Sequence, residues 1–154
     1  MPLIWCSVSG HGFGHAAQVL LVLNELGQRV PGTGVLLRTT VPSWFFERRL
    51  TIPWEISPVL QDVGCVQDGP LYIDVSATWK EHRRFHADWD HRLDAEVRAI
   101  NVRKPDLLLS DISYLAIEAG AHARVRTVGL CNLSWDQVLC PLSDPGSAEH
   151  RRVL

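Results

Sequence analysis

The sequence predicts an α/β fold: one Rossmann-like domain of three layers, with helices on both faces of a mainly parallel sheet. Three observations carry this expectation. Apolar runs of strand length alternate with helical patterns along the whole chain. The first run leads straight into a glycine turn, Gly10-His11-Gly12-Phe13-Gly14, and then into a helix. No linker, repeat or low-complexity segment divides the 154 residues, a length that fits one domain of about 100 to 150 residues.

Taken in order, residues 3–8 read as a buried strand. After the turn, Ala16, Val19, Leu20, Leu23 and Leu26 recur at helical spacing, and Gly27 is expected to stop that helix. Pro31-Gly32-Thr33-Gly34 makes a loop and residues 35–39 a second strand, completing a parallel β-α-β unit. Pro42 opens a short helix through Trp44, Phe45 and Leu50, and Trp54-Glu55-Ile56 forms a third strand between Pro53 and Pro58. From Val59 to Tyr72 the residues Gly64, Gly69 and Pro70 predict a long surface connection, a kind of segment that is often functional.

Val75, Trp79, His82, His86, Trp89, Leu93, Val97 and Ile100 then follow at steps of three or four. That is the seam of one long amphipathic helix packed on the sheet, ended by Pro105. Residues 106–110 are a buried strand, 116–123 a helix and 127–131 another strand. A further helix begins around Asn132-Leu133-Ser134-Trp135-Asp136, and residues 146–154 are polar and without pattern.

Composition excludes several functions. At 46% hydrophobic and 21% charged residues the chain is a folding sequence. Fifteen Lys and Arg against seventeen Asp and Glu leave a net charge of −2, no electrostatic footprint for nucleic acid or an anionic membrane. The pair Arg83-Arg84 reads as a solvated helix face. No apolar run approaches the ~20 residues of a membrane span, and the start Met1-Pro2-Leu3-Ile4 is no secretion signal, so the cytoplasm is expected. Cys6, Cys65, Cys131 and Cys140 lack C-x-x-C spacing, and Cys6 and Cys131 fall in runs that look like buried strands, which implies reduced, structural thiols. His82 and His86 stand four apart, as a metal pair would, but no third ligand is evident and Arg83 and Arg84 oppose a cation; no metal is expected. No histidine pairs with Cys65 at a recognisable spacing, which leaves that thiol unassigned.

In an open parallel sheet, ligands bind where the loops leave the carboxyl ends of the strands. Four polar clusters fall on that rim: residues 10–15, Arg38-Thr39-Thr40, Asp111-Ile112-Ser113 and residues 132–136. Alternate glycines let the first loop approach a phosphate or a sugar closely, although a plain strand-to-helix turn needs the same residues. A dinucleotide fingerprint is absent, since the third glycine comes too early and no acid closes the second strand. No G-K-[ST] completes a P-loop, and no cofactor is expected.

Gly14-His15-Ala16-Ala17-Gln18, with Leu20, Leu23 and Leu26 behind it, resembles the first loop and helix of GT-B glycosyltransferases. Pro105-Asp106-Leu107-Leu108-Leu109-Ser110-Asp111, followed by Ala116-Ile117-Glu118-Ala119, resembles a later strand and helix of the same superfamily. Ser9 to His15, Arg38 to Pro42 with Trp44-Phe45-Phe46, and Asn132-Leu133-Ser134-Trp135-Asp136 are similar to glycosyltransferase-like domains, which also occur fused to arabinokinase-type sugar kinases. The resemblance implies that residues 1–154 are the amino-terminal, acceptor-binding half of a GT-B architecture, stopping before a carboxyl-terminal donor-binding half. It implies a nucleotide-sugar donor, a small-molecule or glycan acceptor, His15 as general base and Asp111 as the group that orients it. Gly10, His11, Gly12 and Gly14 are the expected cradle near the donor diphosphate. Thr39, Asn132, Ser134 and Asp136 are candidate contacts to the acceptor. Spacing alone reads His15 equally as a residue capping its helix, and Asp111 as an N-cap before Ser113. The alternative function is a non-catalytic sugar- or nucleotide-binding module that regulates a sugar kinase.

Overall fold

A computed structural model describes residues 1–144 and 146–153. Five strands, β1 (Leu3–Val8), β2 (Gly34–Arg38), β3 (Trp54–Ser57), β4 (Leu107–Asp111) and β5 (Thr127–Leu130), form one sheet in the order β3-β2-β1-β4-β5. Every pairing is parallel. Among the described residues seven α-helices accompany it: α1 (Phe13–Arg29), α2 (Ser43–Phe46), α3 (Val75–His86), α4 (Trp89–Arg103), α5 (Tyr114–His122), α6 (Trp135–Leu139) and α7 (Ala148–Val153).

The alternation of β1 sorts the core into two layers. Ile4, Cys6 and Val8 face α1, meeting Ala16, Val19, Leu20 and Leu23 together with Val35, Leu37 and Leu109. Trp5 points the other way, into a cluster with Leu36, Leu108, Phe85 of α3, Leu93 and Ile100 of α4, and Leu115, Ala116 and Ala119 of α5. A smaller apolar cluster, Cys65, Trp79, Ile112, Trp135 and Leu139, lies where the α6 segment meets α3. The expected α/β class and parallel sheet are therefore observed.

Several boundaries differ from the expectation, each for a local reason. Helix α1 runs through Gly27 to Arg29; a Cβ at Gly27 would stand only 3.2 Å from Ile52, so the glycine serves close packing rather than termination. Helix α2 ends at Phe46 instead of reaching Leu50, because Arg48 takes a positive φ of 61°. The seam from Val75 to Ile100 is two helices, broken at Ala87-Asp88, where Asp88 leaves helical geometry at φ −115°. Cys131 is exposed, since the edge strand β5 stops one residue before it. Residues 148–153 are helical rather than unpatterned, and Leu154 lies outside the described residues. Among the described residues no helix is long and apolar enough to cross a membrane.

Candidate functional site

From β1 the chain steps outward through β2 to β3, whereas β4 starts on the other side of β1 and steps outward to β5. The sheet thus has its switch point between β1 and β4, where the two outgoing loops part and leave a crevice. His15 stands in the first turn of α1, just beyond β1. Asp111 is the last residue of β4, in register with Val8. Ninety-six positions apart in sequence, the two meet: His15 Nδ1 lies 3.1 Å from Asp111 Oδ2 and 3.3 Å from Oδ1.

Local geometry fixes both partners. Asp111 is buried, with 1% of its side chain exposed, and also accepts the Ser9 backbone N–H at 3.4 Å. Immediately after it Ile112 adopts φ 58°, a strained conformation for a β-branched residue, and Ser113 N–H closes back on Asp111 O at 2.7 Å. The carboxylate is thereby turned into the crevice. Before His15, Gly12 takes φ 82° in open space. That turn aims the start of α1 at the same place.

The carboxylate can only accept, so His15 Nδ1–H donates to Asp111 and the lone pair of the neutral ring sits on Nε2. The hydrogen bond to Asp111 raises the His15 pKa above its ordinary value; burial opposes it, and the charges of Asp111 and Asp62 add to it. His11, half-buried, is shifted down by burial and by His15. Two neighbouring imidazoles are thus pushed in opposite directions, an arrangement typical of acid–base sites.

The pair opens onto a cleft of about 430 Å³ bounded by His11, Gly14, His15, Gln18, Asp111, Ile112, Asn132 and Trp135, among others, within the size range of small-ligand sites. Trp135 forms one wall, its ring 5.4 Å from that of His11 in an edge-on contact and 6.2 Å from that of His15. Of the residues singled out from sequence, His11, Gly14, His15, Asp111 and Asn132 come together here. Gly10 lines a smaller hollow on the other side of His11, with Thr40, Asp62 and Gly64. Gly12 shapes the turn. Ser134 and Asp136 line a neighbouring hollow behind Trp135, and the Ser134 N–H donates to Gln137 Oε1 at the start of α6. Thr39 is fully buried and its hydroxyl accepts the Val41 N–H at 3.0 Å, so it caps a turn away from the cleft.

Three participants escaped the sequence reading. Gln18 lies one turn after His15 on the helix face that the cleft uses. Trp135 stands out in the sequence only as part of the Asn132-Leu133-Ser134-Trp135-Asp136 motif. Asp62, in the long connection, is 3% exposed and accepts from Ser9 Oγ at 3.0 Å, Ser113 Oγ at 3.2 Å and Trp135 Nε1 at 3.0 Å. Burial raises its pKa against those three hydrogen bonds, and the charge of Asp111 raises it further. Among the described residues no group of three His, Cys, Asp or Glu is placed to hold a metal ion.

Comparison with known proteins extends the picture. No family model matches the chain. It is 31% identical over 149 residues to the L-arabinokinase of Arabidopsis thaliana, a match that spans 96% of this chain and 14% of that protein. Among solved structures, the calicheamicin glycosyltransferase CalG4 superposes with a TM-score of 0.54 at 19% identity, over 84% of this chain and 32% of that one. UGT89C1 of Arabidopsis thaliana, solved complexed with UDP, gives 0.52 at 16% identity over 83% and 35%. The chain therefore spans about one seventh of the length of that kinase and about a third of each glycosyltransferase. The architecture is that of part of one half of the GT-B fold.

Proposed function

We propose that this domain is the acceptor-binding part of a GT-B glycosyltransferase, with His15 as general base and Asp111 as its orienting carboxylate. The single observation that carries the reading is the His15–Asp111 hydrogen bond at the mouth of the cleft, at the switch point of the sheet.

An acceptor hydroxyl lying against His15 gives its proton to Nε2 as its oxygen attacks the anomeric carbon of a nucleotide-sugar. The carbon–oxygen bond to the diphosphate breaks, its electron pair leaves with the nucleoside diphosphate, and the proton stays on the imidazole. Asp111 holds the ring in the tautomer that exposes the Nε2 lone pair and stabilises the imidazolium that forms. The donor half lies outside this chain in this reading, on the same polypeptide or on a partner. The first turn of α1, with Gly12 supplying no side-chain cap, faces it with free backbone N–H groups suited to a diphosphate. The acceptor is a small molecule or a glycan, and the setting is the reducing cytoplasm, in keeping with four free cysteines.

The test uses the full-length protein that carries this domain, a panel of UDP-sugars, and UDP release as the readout. His15→Ala is expected to slow turnover by about 10² to 10⁴, the usual contribution of a general base. Turnover equal to that of the unaltered protein would remove His15 from the chemistry. The likeness to a stretch of L-arabinokinase supports one rival, a sugar- or nucleotide-binding module that regulates a kinase. Under that rival no UDP-sugar is consumed, and His15→Ala changes the kinase response to sugar instead.

A further inference from the structure

Each element that walls the cleft ends in a loop, and loops alone do not hold catalytic groups to the tolerance that proton transfer needs. Something must tie the loops leaving β1, β4 and β5 to one another. The observed hydrogen bonds converge on one side chain that belongs to none of them.

Asp62 sits on the strap between β3 and α3, and its two oxygens receive one donor from each outgoing loop. Oδ1 accepts Ser9 Oγ, beyond β1. Oδ2 accepts Ser113 Oγ, beyond β4, and Trp135 Nε1, beyond β5. Ser9 is shared: its backbone N–H donates to Asp111, and its hydroxyl oxygen accepts the His11 N–H at 3.2 Å. One serine thus connects both buried carboxylates and the turn that carries His11 and leads into His15. The neighbouring Gln61 anchors the strap, accepting Ser7 Oγ at 2.9 Å and donating to Glu96 at 3.0 Å. Two residues after Asp62, Gly64 passes so close to the His11 ring and to Trp135 that no Cβ fits there. The strap is fastened at two consecutive side chains directly beneath the site.

We propose that Asp62 is the positioning residue of the His15–Asp111 site: its buried carboxylate clamps Trp135, Ser113 and Ser9 and so sets the width of the cleft and the seating of both histidines. It touches no substrate. Its charge acts on His15 together with that of Asp111, against His11 in the preceding turn; these are the titratable groups whose charges act on the His15 ring. The proposal deepens the catalytic reading above and rests on it for its consequence, yet the clamp itself is readable without turnover.

The experiment is NMR on isotopically labelled protein, following the His15 ring through a pH titration and the Trp135 indole N–H through its resonance and its exchange with water. Asp62→Asn is nearly isosteric, removes the charge and replaces one carboxylate oxygen by an NH2 that cannot accept, so Ser9 on one side and the Trp135–Ser113 pair on the other can no longer both donate to it. We expect the His15 midpoint to move to lower pH, the Trp135 indole N–H to shift and to exchange at least tenfold faster, and UDP release to fall through kcat. Ser113→Ala, which leaves the carboxylate intact but frees Oδ2 for Trp135 alone, should shift the same indole resonance while leaving the His15 midpoint in place. It supplies the decisive reading if Asp62→Asn does not fold. An unmoved Trp135 resonance in both variants, or an unmoved His15 midpoint in a folded Asp62→Asn protein, overturns the proposal. A clamp seen by NMR alongside a His15→Ala protein of full activity would instead overturn only the catalytic reading.

Discussion

For His15 to accept a proton its ring must be neutral, and the hydrogen bond to Asp111 works against neutrality by holding its pKa above the ordinary 6.5. The pH dependence follows with a definite sign. Turnover should climb with pH through a midpoint above 6.5, and Asp111→Asn should slide that midpoint toward acid while slowing the reaction by about 10² to 10⁴, because the wrong tautomer is no longer penalised; a kcat–pH profile of the two proteins checks both. The same shift is a stability contribution that is complete below the unfolded pKa and lost as pH rises through the folded one. His15 and Asp111 were legible in the sequence because each lies at the carboxyl end of an apolar run, where a parallel sheet collects its loops. Asp62 was not. Its three partners are 53, 51 and 73 positions away, and it stands in a Gly- and Pro-punctuated stretch with no periodicity to say which way any side chain faces. Thr39 shows the converse: a rim position in the sequence, but a short hydroxyl side chain that the backbone of its own turn claims first.

The three- and four-residue spacing from Val75 to Ile100 shows what a pattern can and cannot settle about a helix. Spacing reports which face is buried, and that face is continuous across α3 and α4; a two-residue break at Ala87-Asp88 preserves the phase closely enough to pass unseen. The seam places His82 with no exposed surface. Burial, together with the nearby His86, depresses its pKa to about 4, with the Gly64 backbone opposing. A folded value below the unfolded one means that the unfolded chain binds more protons between the two. Stability should thus be full above about pH 6.5 and decline toward pH 4, by on the order of 3 kcal/mol at most. Thermal melts across that range should show the acid limb, and His82→Leu should flatten it. The strap makes a second prediction of this kind. Gly64→Ala forces a methyl group against His11 and Trp135, which should cost about 1 to 3 kcal/mol as an overpacked site does, measurable by urea titration, with the Trp fluorescence of the folded protein altered.

Strand and helix alternation made the three-layer sheet legible, since each strand is short, apolar and bounded by turn residues, but the strand order is set by contacts that no local window contains. Arg38 is an instance. Its position at the end of an apolar run places it on the ligand rim, whereas its guanidinium turns back across the face of the sheet to the buried carboxylate of Glu96, with Nε at 3.1 Å, and lies 4.9 Å from the Trp5 ring. Glu96 also accepts Trp5 Nε1 at 3.2 Å and Gln61 Nε2 at 3.0 Å. One carboxylate, 2% exposed, therefore joins β1, β2, the strap and α4, and it fixes how the α3–α4 layer docks on the sheet. Such a pair contributes little against a well-packed apolar replacement, because burying two charges costs nearly what their attraction returns, but removing one partner leaves the other stranded. Glu96→Leu should therefore lower stability by about 3 to 5 kcal/mol, read as a fall in the urea midpoint. The double variant Arg38→Met, Glu96→Leu should recover most of that loss, since no guanidinium is then left without its carboxylate. A double variant as unstable as Glu96→Leu alone would show that the cost lies in the Trp5 and Gln61 hydrogen bonds, and that the polar hub rather than the ion pair holds the two layers in register.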